Sequence, residues 1–160
     1  MLKDIFAWLK EVLKKPDKYA DLKNFPVLSE LNSFELYLLN NFLHKRTFAE
    51  GEVLYEKGHP LEVVYFILSG KIEANGSIYP AGHNIIGANQ VLGIIDMFNE
   101  ETRSCSAKAI TTTSVYAISR FDLMELIKQN PHLGIKLYTA FCKMLSNYIF
   151  KITAKQETAD

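Results

Sequence analysis

The chain opens with apolar residues at three- and four-residue steps, Leu2, Ile5, Phe6, Leu9, Val12 and Leu13, with Asp4, Lys10, Glu11, Lys14 and Lys15 between them. That spacing predicts a helix with one apolar and one charged face. Pro16, which has no amide proton to donate, is the expected stop. A second helical stretch follows Pro26, where Asn32 and Glu35 have the spacing of a capping box and Leu36, Leu39, Phe42 and Leu43 continue as a stripe. From about Thr47 to Ser119 the period shortens to two. Val53 and Tyr55 alternate, Val63 to Leu68 is a run of strand formers, and Ile72 and Ala74 alternate again. Asn75-Gly76 has the composition of a tight hairpin leading into Ser77-Ile78-Tyr79. Cys105, Ala107 and Ala109 alternate with polar neighbours, and Ser114 to Ile118 closes the strand region.

Helical spacing then returns. Ser119 with Asp122 predicts the cap of a short helix carrying Phe121, Leu123, Met124, Leu126 and Ile127, stopped by Pro131. Beyond it Leu137, Phe141, Met144 and Tyr148 fall at alternating four- and three-residue steps, the seam of a long amphipathic helix. The tail from Thr153 is polar and is expected to fray. Together these elements predict an α+β domain: an antiparallel, jelly-roll-like β-roll with N-terminal helices and a long C-terminal helix. The expected division is a helical extension over 1–26 and a domain over 27–153, followed by a tail over 154–160. Within the domain the β-roll takes about 47–119, and helices take 120–130 and 132–153.

Composition narrows the function. A chain of 160 residues with 48% hydrophobic content suits one globular domain. Eighteen basic residues balance eighteen acidic ones, so no whole-chain field draws the protein to nucleic acid or anionic lipid. The first helix is broken by charge and has no cleavage site after it. It is expected to pack on the domain or a partner chain and not on a membrane. Cys105 and Cys142 show no paired spacing and read as reduced thiols of a cytoplasmic protein. His59 and His83 are isolated, so neither metal nor cofactor is expected. No nucleophile elbow or phosphate-binding Gly-Lys-Ser loop is present, and no enzymatic activity is expected.

The order of helix, β-roll, short helix and long helix carries a family resemblance. Phe48-x-x-Gly51-Glu52-Val53-Leu54-Tyr55-x-x-Gly58, then Val64 through Ile72, resembles the first half of a cyclic-nucleotide-binding domain of the Crp/Fnr type. Ser104 to Ala109, then Val115 to Ser119 and the helix before Pro131, resemble the second half. The similarity runs from about Val27 to Tyr148. It implies a non-catalytic regulatory domain that senses cAMP or cGMP through a cassette of Gly-Glu at a helical turn followed by Arg. Backbone N–H groups and a guanidinium suit the cyclic phosphate, and the carboxylate accepts the ribose 2′-hydroxyl proton.

Half of that cassette is matched here. Gly93 lies ten residues before Arg103, and Arg103-Ser104 resembles the phosphate-facing end, yet Ile94 stands where the family has Glu. A second register puts Gly87 and Ala88 in those places, again without the carboxylate. Glu100 and Glu101 precede Arg103, where the family does not place the ribose partner. One unmade hydrogen bond to a charged acceptor costs about 1.5–3 kcal/mol. Two readings follow. One is a sensor of a cyclic nucleotide or another small anion with a weakened cassette. The other is a degenerate sensor kept as a dimerisation or protein-interaction module, with Arg103 no more than a solvated loop residue. Regulators of this type commonly carry a helix-turn-helix after the long helix. With Asp160 the last residue, no direct DNA binding is expected. A homodimer is expected along Leu137, Phe141, Met144 and Tyr148, the alternative being that this stripe folds back over its own β-roll as a lid.

Overall fold

Strand periodicity translates into two antiparallel sheets in the computed structural model, which describes residues 2–13, 19–76, 83–98 and 102–157. The strands are β1 (His44–Phe48), β2 (Val53–Tyr55), β3 (Val63–Ser69), β4 (Ile72–Gly76), β5 (His83–Ile86), β6 (Val91–Leu92), β7 (Cys105–Ala109) and β8 (Thr113–Ser119). One sheet has the order β1-β8-β3-β6 and the other β2-β7-β4-β5. The expected α+β fold with a jelly-roll-like β-roll is therefore present. The roll begins at His44, three residues before the alternation shows it. His44, Lys45, Arg46 and Thr47 are all exposed on this edge strand, so no apolar period announces it. Charge on an edge strand also discourages pairing with a second chain.

Asn75-Gly76 does not make the expected hairpin. Both residues continue β4, Asn75 opposite His83 and Gly76 opposite Cys105. A Cβ at Gly76 would stand 2.6 Å from the Cys105 Cβ, so this glycine serves strand approach and not a turn. Ser77, Ile78 and Tyr79 lie outside the described residues, as do Pro16, Glu100 and Glu101.

The helices are α1 (Leu2–Val12), α2 (Ala20–Lys23), α3 (Ser33–Asn40), α4 (Ile94–Met97), α5 (Arg120–Gln129) and α6 (Pro131–Glu157). The Asn32 side chain accepts from the amides of Phe34 and Glu35 at 3.0 and 2.9 Å, and Glu35 accepts from the Asn32 amide at 2.8 Å. This is the expected capping box, and Ser119 caps α5 through the Asp122 amide at 2.9 Å. Phe42 and Leu43 fall beyond the end of α3, in the approach to β1. At the other end α6 runs to Glu157, four residues past the expected boundary.

Two apolar cores result, and β3 belongs to both. Val64 and Phe66 face a helical core with Leu36, Leu39, Leu126 and Leu137, while Tyr65 and Ile67 face the space between the sheets with Phe48, Ile72 and Val115. A strand buried on both faces reads as a continuous apolar run, which is what Val63 to Leu68 shows. The helical core also takes Tyr19, Leu22 and Phe25 from the first 26 residues. The C-terminal seam turns inward. Leu137 and Phe141 are fully buried in their own chain's core, so neither is available to a second chain.

Candidate functional site

The short helix α4 begins at Gly93, whose φ of 104° is in the left-handed region that favours glycine. Space demands glycine as well: a Cβ there would lie 2.9 Å from Nη1 of Arg103. The ten-residue separation in sequence thus closes to contact. Arg103 is pinned by its backbone, its amide donating to the His59 carbonyl at 2.8 Å and its carbonyl accepting from the Gly58 amide at 2.9 Å.

Arg103 is only 3% exposed, which overturns the reading of a solvated loop arginine. Its guanidinium carbon lies 3.8 Å over the Tyr55 ring and 6.0 Å from that of Tyr65, and these two rings stack at 6.4 Å. Such an aromatic floor attracts a cation through the ring quadrupole. Nη2 donates to the Val63 carbonyl at 2.6 Å. Nε and Nη1 are buried with no hydrogen-bond partner among the described residues. A buried charge with unmet donors is costly, and an anion placed beside it removes that cost. Burial raises the Tyr65 phenol above its ordinary pKa, with the Arg103 charge pulling the other way.

Between the β-roll and the second half of α6 is a cavity of about 580 Å³; Gly93 and Tyr55, which contact Arg103, are part of its wall, and Arg103 stands behind them. That volume is in the range of small-molecule sites. Gly93, Ile94, Ile95 and Asp96 form one wall, Tyr55 and Cys105 the floor, and Met144, Tyr148 and Lys151 the α6 side. Burial pushes the Tyr148 phenol up. Two residues of the expected dimer seam, Met144 and Tyr148, therefore face the cavity.

Gly93, Ile94 and Arg103 are brought together, with Ile94 buried at 1% exposure at the join of cavity and helical core. The Ser104 hydroxyl is buried next to them, without a partner among the described residues. Gly87 and Ala88 occupy the turn between β5 and β6, where the Gly87 amide donates to Oε1 of Gln90 at 2.6 Å. Neither lines the cavity. Sequence reasoning missed the Tyr55 floor and the buried carboxylate of Asp96. Tyr55 was readable only as a strand position, and Asp96 only as an acidic residue in a first helical turn. No group of three or more metal-ligating side chains occurs among the described residues.

Residues 45–130 match the cyclic nucleotide-binding domain family. The chain is 23% identical over 127 residues to the cyclic AMP receptor protein of Thermus thermophilus, across 78% of this chain and 59% of that protein. It spans less than two thirds of the first curated relatives it matches. A cyclic nucleotide-binding domain from Methylobacillus flagellatus superposes with a TM-score of 0.77 at 18% identity, covering 90% of this chain and 86% of that one. The regulatory domain of Toxoplasma gondii PKA, crystallised with cAMP, gives a TM-score of 0.64 at 20% identity over 82% of this chain and 51% of that one. With the paired sheets, the α4 turn and a family match over more than half its length, the chain belongs to the cyclic nucleotide-binding domain family.

Proposed function

We propose that this is a non-catalytic sensor domain of a cytoplasmic protein, in which the cavity under α6 takes a cyclic nucleotide or another small anion. The observation that carries the reading is Arg103, a buried cation with Nε and Nη1 unmet beside Gly93. The Gly93 register is supported by the contact of Gly93 with Arg103 and by the place of Gly93 and Ile94 in the cavity wall, where Gly87 and Ala88 have none. Ile94 offers no carboxylate to the ribose, so the cassette is a weakened one. The relatives named for cyclic AMP and the cAMP-bound structural neighbour lend support to the ligand class. Calorimetric titration of the ligand-stripped protein with cAMP and cGMP tests it. Arg103→Met keeps an apolar stem over Tyr55 but removes the charge. It is expected to weaken binding by about 2 kcal/mol or more while changing folding stability by less than about 1 kcal/mol. Equal binding by the variant rejects the role of Arg103, and no binding of either nucleotide by the wild type rejects a cyclic nucleotide as the ligand.

A second reading, self-association, is favoured by the outer face of α6. Ile135, Thr139, Cys142, Ser146, Ile149 and Thr153 are exposed, uncharged and spaced by alternating four and three residues. That is the repeat of a two-helix seam. The homodimer expected from the sequence is therefore proposed on this face and not on Leu137 and Phe141. Light scattering at micromolar concentration checks it, a mass of 18.2 kDa being the monomer.

A further inference from the structure

The first helix carries an apolar stripe that stands in solvent. Leu2, Phe6 and Leu13 are 73%, 71% and 80% exposed, Leu9 is 42% exposed, and no residue of α1 is buried. Leu13 continues the helical path past Val12, its amide donating to the Leu9 carbonyl at 3.1 Å. The packing on the domain expected from the sequence is made by a different edge of the helix. Trp8 meets Phe34 of α3 edge to face at 5.7 Å, and Ile5 and Val12 are half-buried. The Tyr19 hydroxyl donates to the Glu11 carboxylate at 3.1 Å. Charge is ordered around the same helix. At about 100° per residue, Lys3 and Lys10 stand about 80° to one side of the stripe. Ile5, Trp8 and Val12 stand about 100° to the other side, and Asp4 and Glu11 lie opposite.

We infer that α1 docks on an anionic phospholipid surface, with Leu2, Phe6, Leu9 and Leu13 between the headgroups and Lys3 and Lys10 level with the phosphates. An interfacial helix has this cross-section: large apolar groups below, lysines at the waterline and acidic groups turned to water. Lysine suits the flank because its methylene stem lies along the apolar boundary while the ammonium reaches the phosphates. The whole-chain balance of charge draws the protein to no lipid, whereas the placement of charge on this one helix does. None of the described helices is long and apolar enough to cross a membrane, so α1 lies in the surface and does not span it. The edge packed on the domain is about 100° from the stripe, so the domain stands beside the contact and does not block it. A helix held by one edge is also a ridge without a groove, which suits insertion between headgroups and gives a partner helix little to seat against. The inference is independent of the cavity reading.

The test is co-sedimentation of the full chain with extruded vesicles, one set of phosphatidylcholine alone and one with a third of that lipid replaced by phosphatidylglycerol. Binding to the anionic set is expected to be about tenfold tighter, from two lysines at the charged surface. The double variant Phe6→Gln with Leu13→Gln keeps good helix formers at exposed positions. It is expected to leave the urea midpoint unchanged and to weaken binding to the anionic set more than about tenfold. Lys3→Gln with Lys10→Gln is expected to bring binding to the anionic set down to that of the neutral one. A wild type that does not sediment with the anionic vesicles overturns the inference. Self-association, or capture of an acidic amphipathic peptide, that is lost in the Phe6 and Leu13 variant then gives the stripe to a protein. Vesicle binding that survives that variant also overturns it, as does an anionic preference that survives loss of both lysines.

Discussion

Arg103 and Ile94 sit against the same short helix and show how differently two residues of one cassette are held. The arginine keeps its charge out of water over two tyrosine rings, so truncation to alanine, unlike Arg103→Met, creates a void as well as removing a cation. Ile94 is shared between cavity and core, so a carboxylate there has a double effect. Ile94→Glu is expected to lower stability by about 1–3 kcal/mol through burial of a polar group. The same change is expected to tighten cyclic-nucleotide binding by about tenfold as the ribose gains its partner. Ala88→Glu, on an exposed turn, is expected to change neither quantity by more than about 0.5 kcal/mol. Urea denaturation and titration of the two variants side by side check both statements. The spacing of Gly93 and Arg103 was readable in the sequence because a conformational and a chemical requirement each demand one residue type. The burial of Arg103 was not, because the rings beneath it come from β2 and β3, far away in the chain.

At the scale of elements, what was readable follows from which faces are buried. β3 was evident from six consecutive apolar or aromatic residues, β7 from strict alternation, and α3 and α5 from their caps. β1 began too late because its exposed half carries no apolar signal. On α6 the sequence contains two seams of the same period, and periodicity alone cannot say which one faces inward. Size decides it: the seam with Leu137 and Phe141 fills the core, and the seam of smaller residues, Thr139, Cys142 and Ser146, is left outside. If α6 pairs with a second α6 in parallel through this outer face, Cys142 meets its own copy. Mild oxidation is then expected to give a disulfide-linked dimer that Cys142→Ser abolishes, Cys105 being buried. Cross-linking absent at protein concentrations where light scattering gives a monomer rejects that seam.

Across the whole molecule, the two cores share β3, and buried or half-buried tyrosines lie in each. Tyr65, Tyr116 and Tyr148 each have a phenol whose pKa burial raises above the ordinary 10.0. Below pH 10 both folded and unfolded chains hold these protons, and their contribution to stability is complete. Above it the unfolded chain releases protons that the folded one retains, so stability falls as pH rises through the raised folded values. Urea midpoints are expected to decline from about pH 10 upward, and Tyr65→Phe to make the decline shallower. Unchanged midpoints across that range contradict the assignment. The same whole-molecule view gives α6 a mechanical character. Its first half is bolted down by Leu133, Leu137 and Phe141 and by Lys136, whose Nζ donates to the Glu35 carboxylate at 2.7 Å. Its second half is held more lightly, by half-buried Met144, Leu145 and Tyr148 at the edges of the two cores and along the cavity. The helix is thus a lever with its fulcrum near Phe141 and a free arm of sixteen residues to Glu157, about 24 Å long at 1.5 Å per residue. A tilt of about 10° where Met144 and Tyr148 meet a ligand then carries the far end through about 4 Å at that arm length. An occupant small enough for the cavity can in this way deliver a displacement a neighbouring domain is able to register.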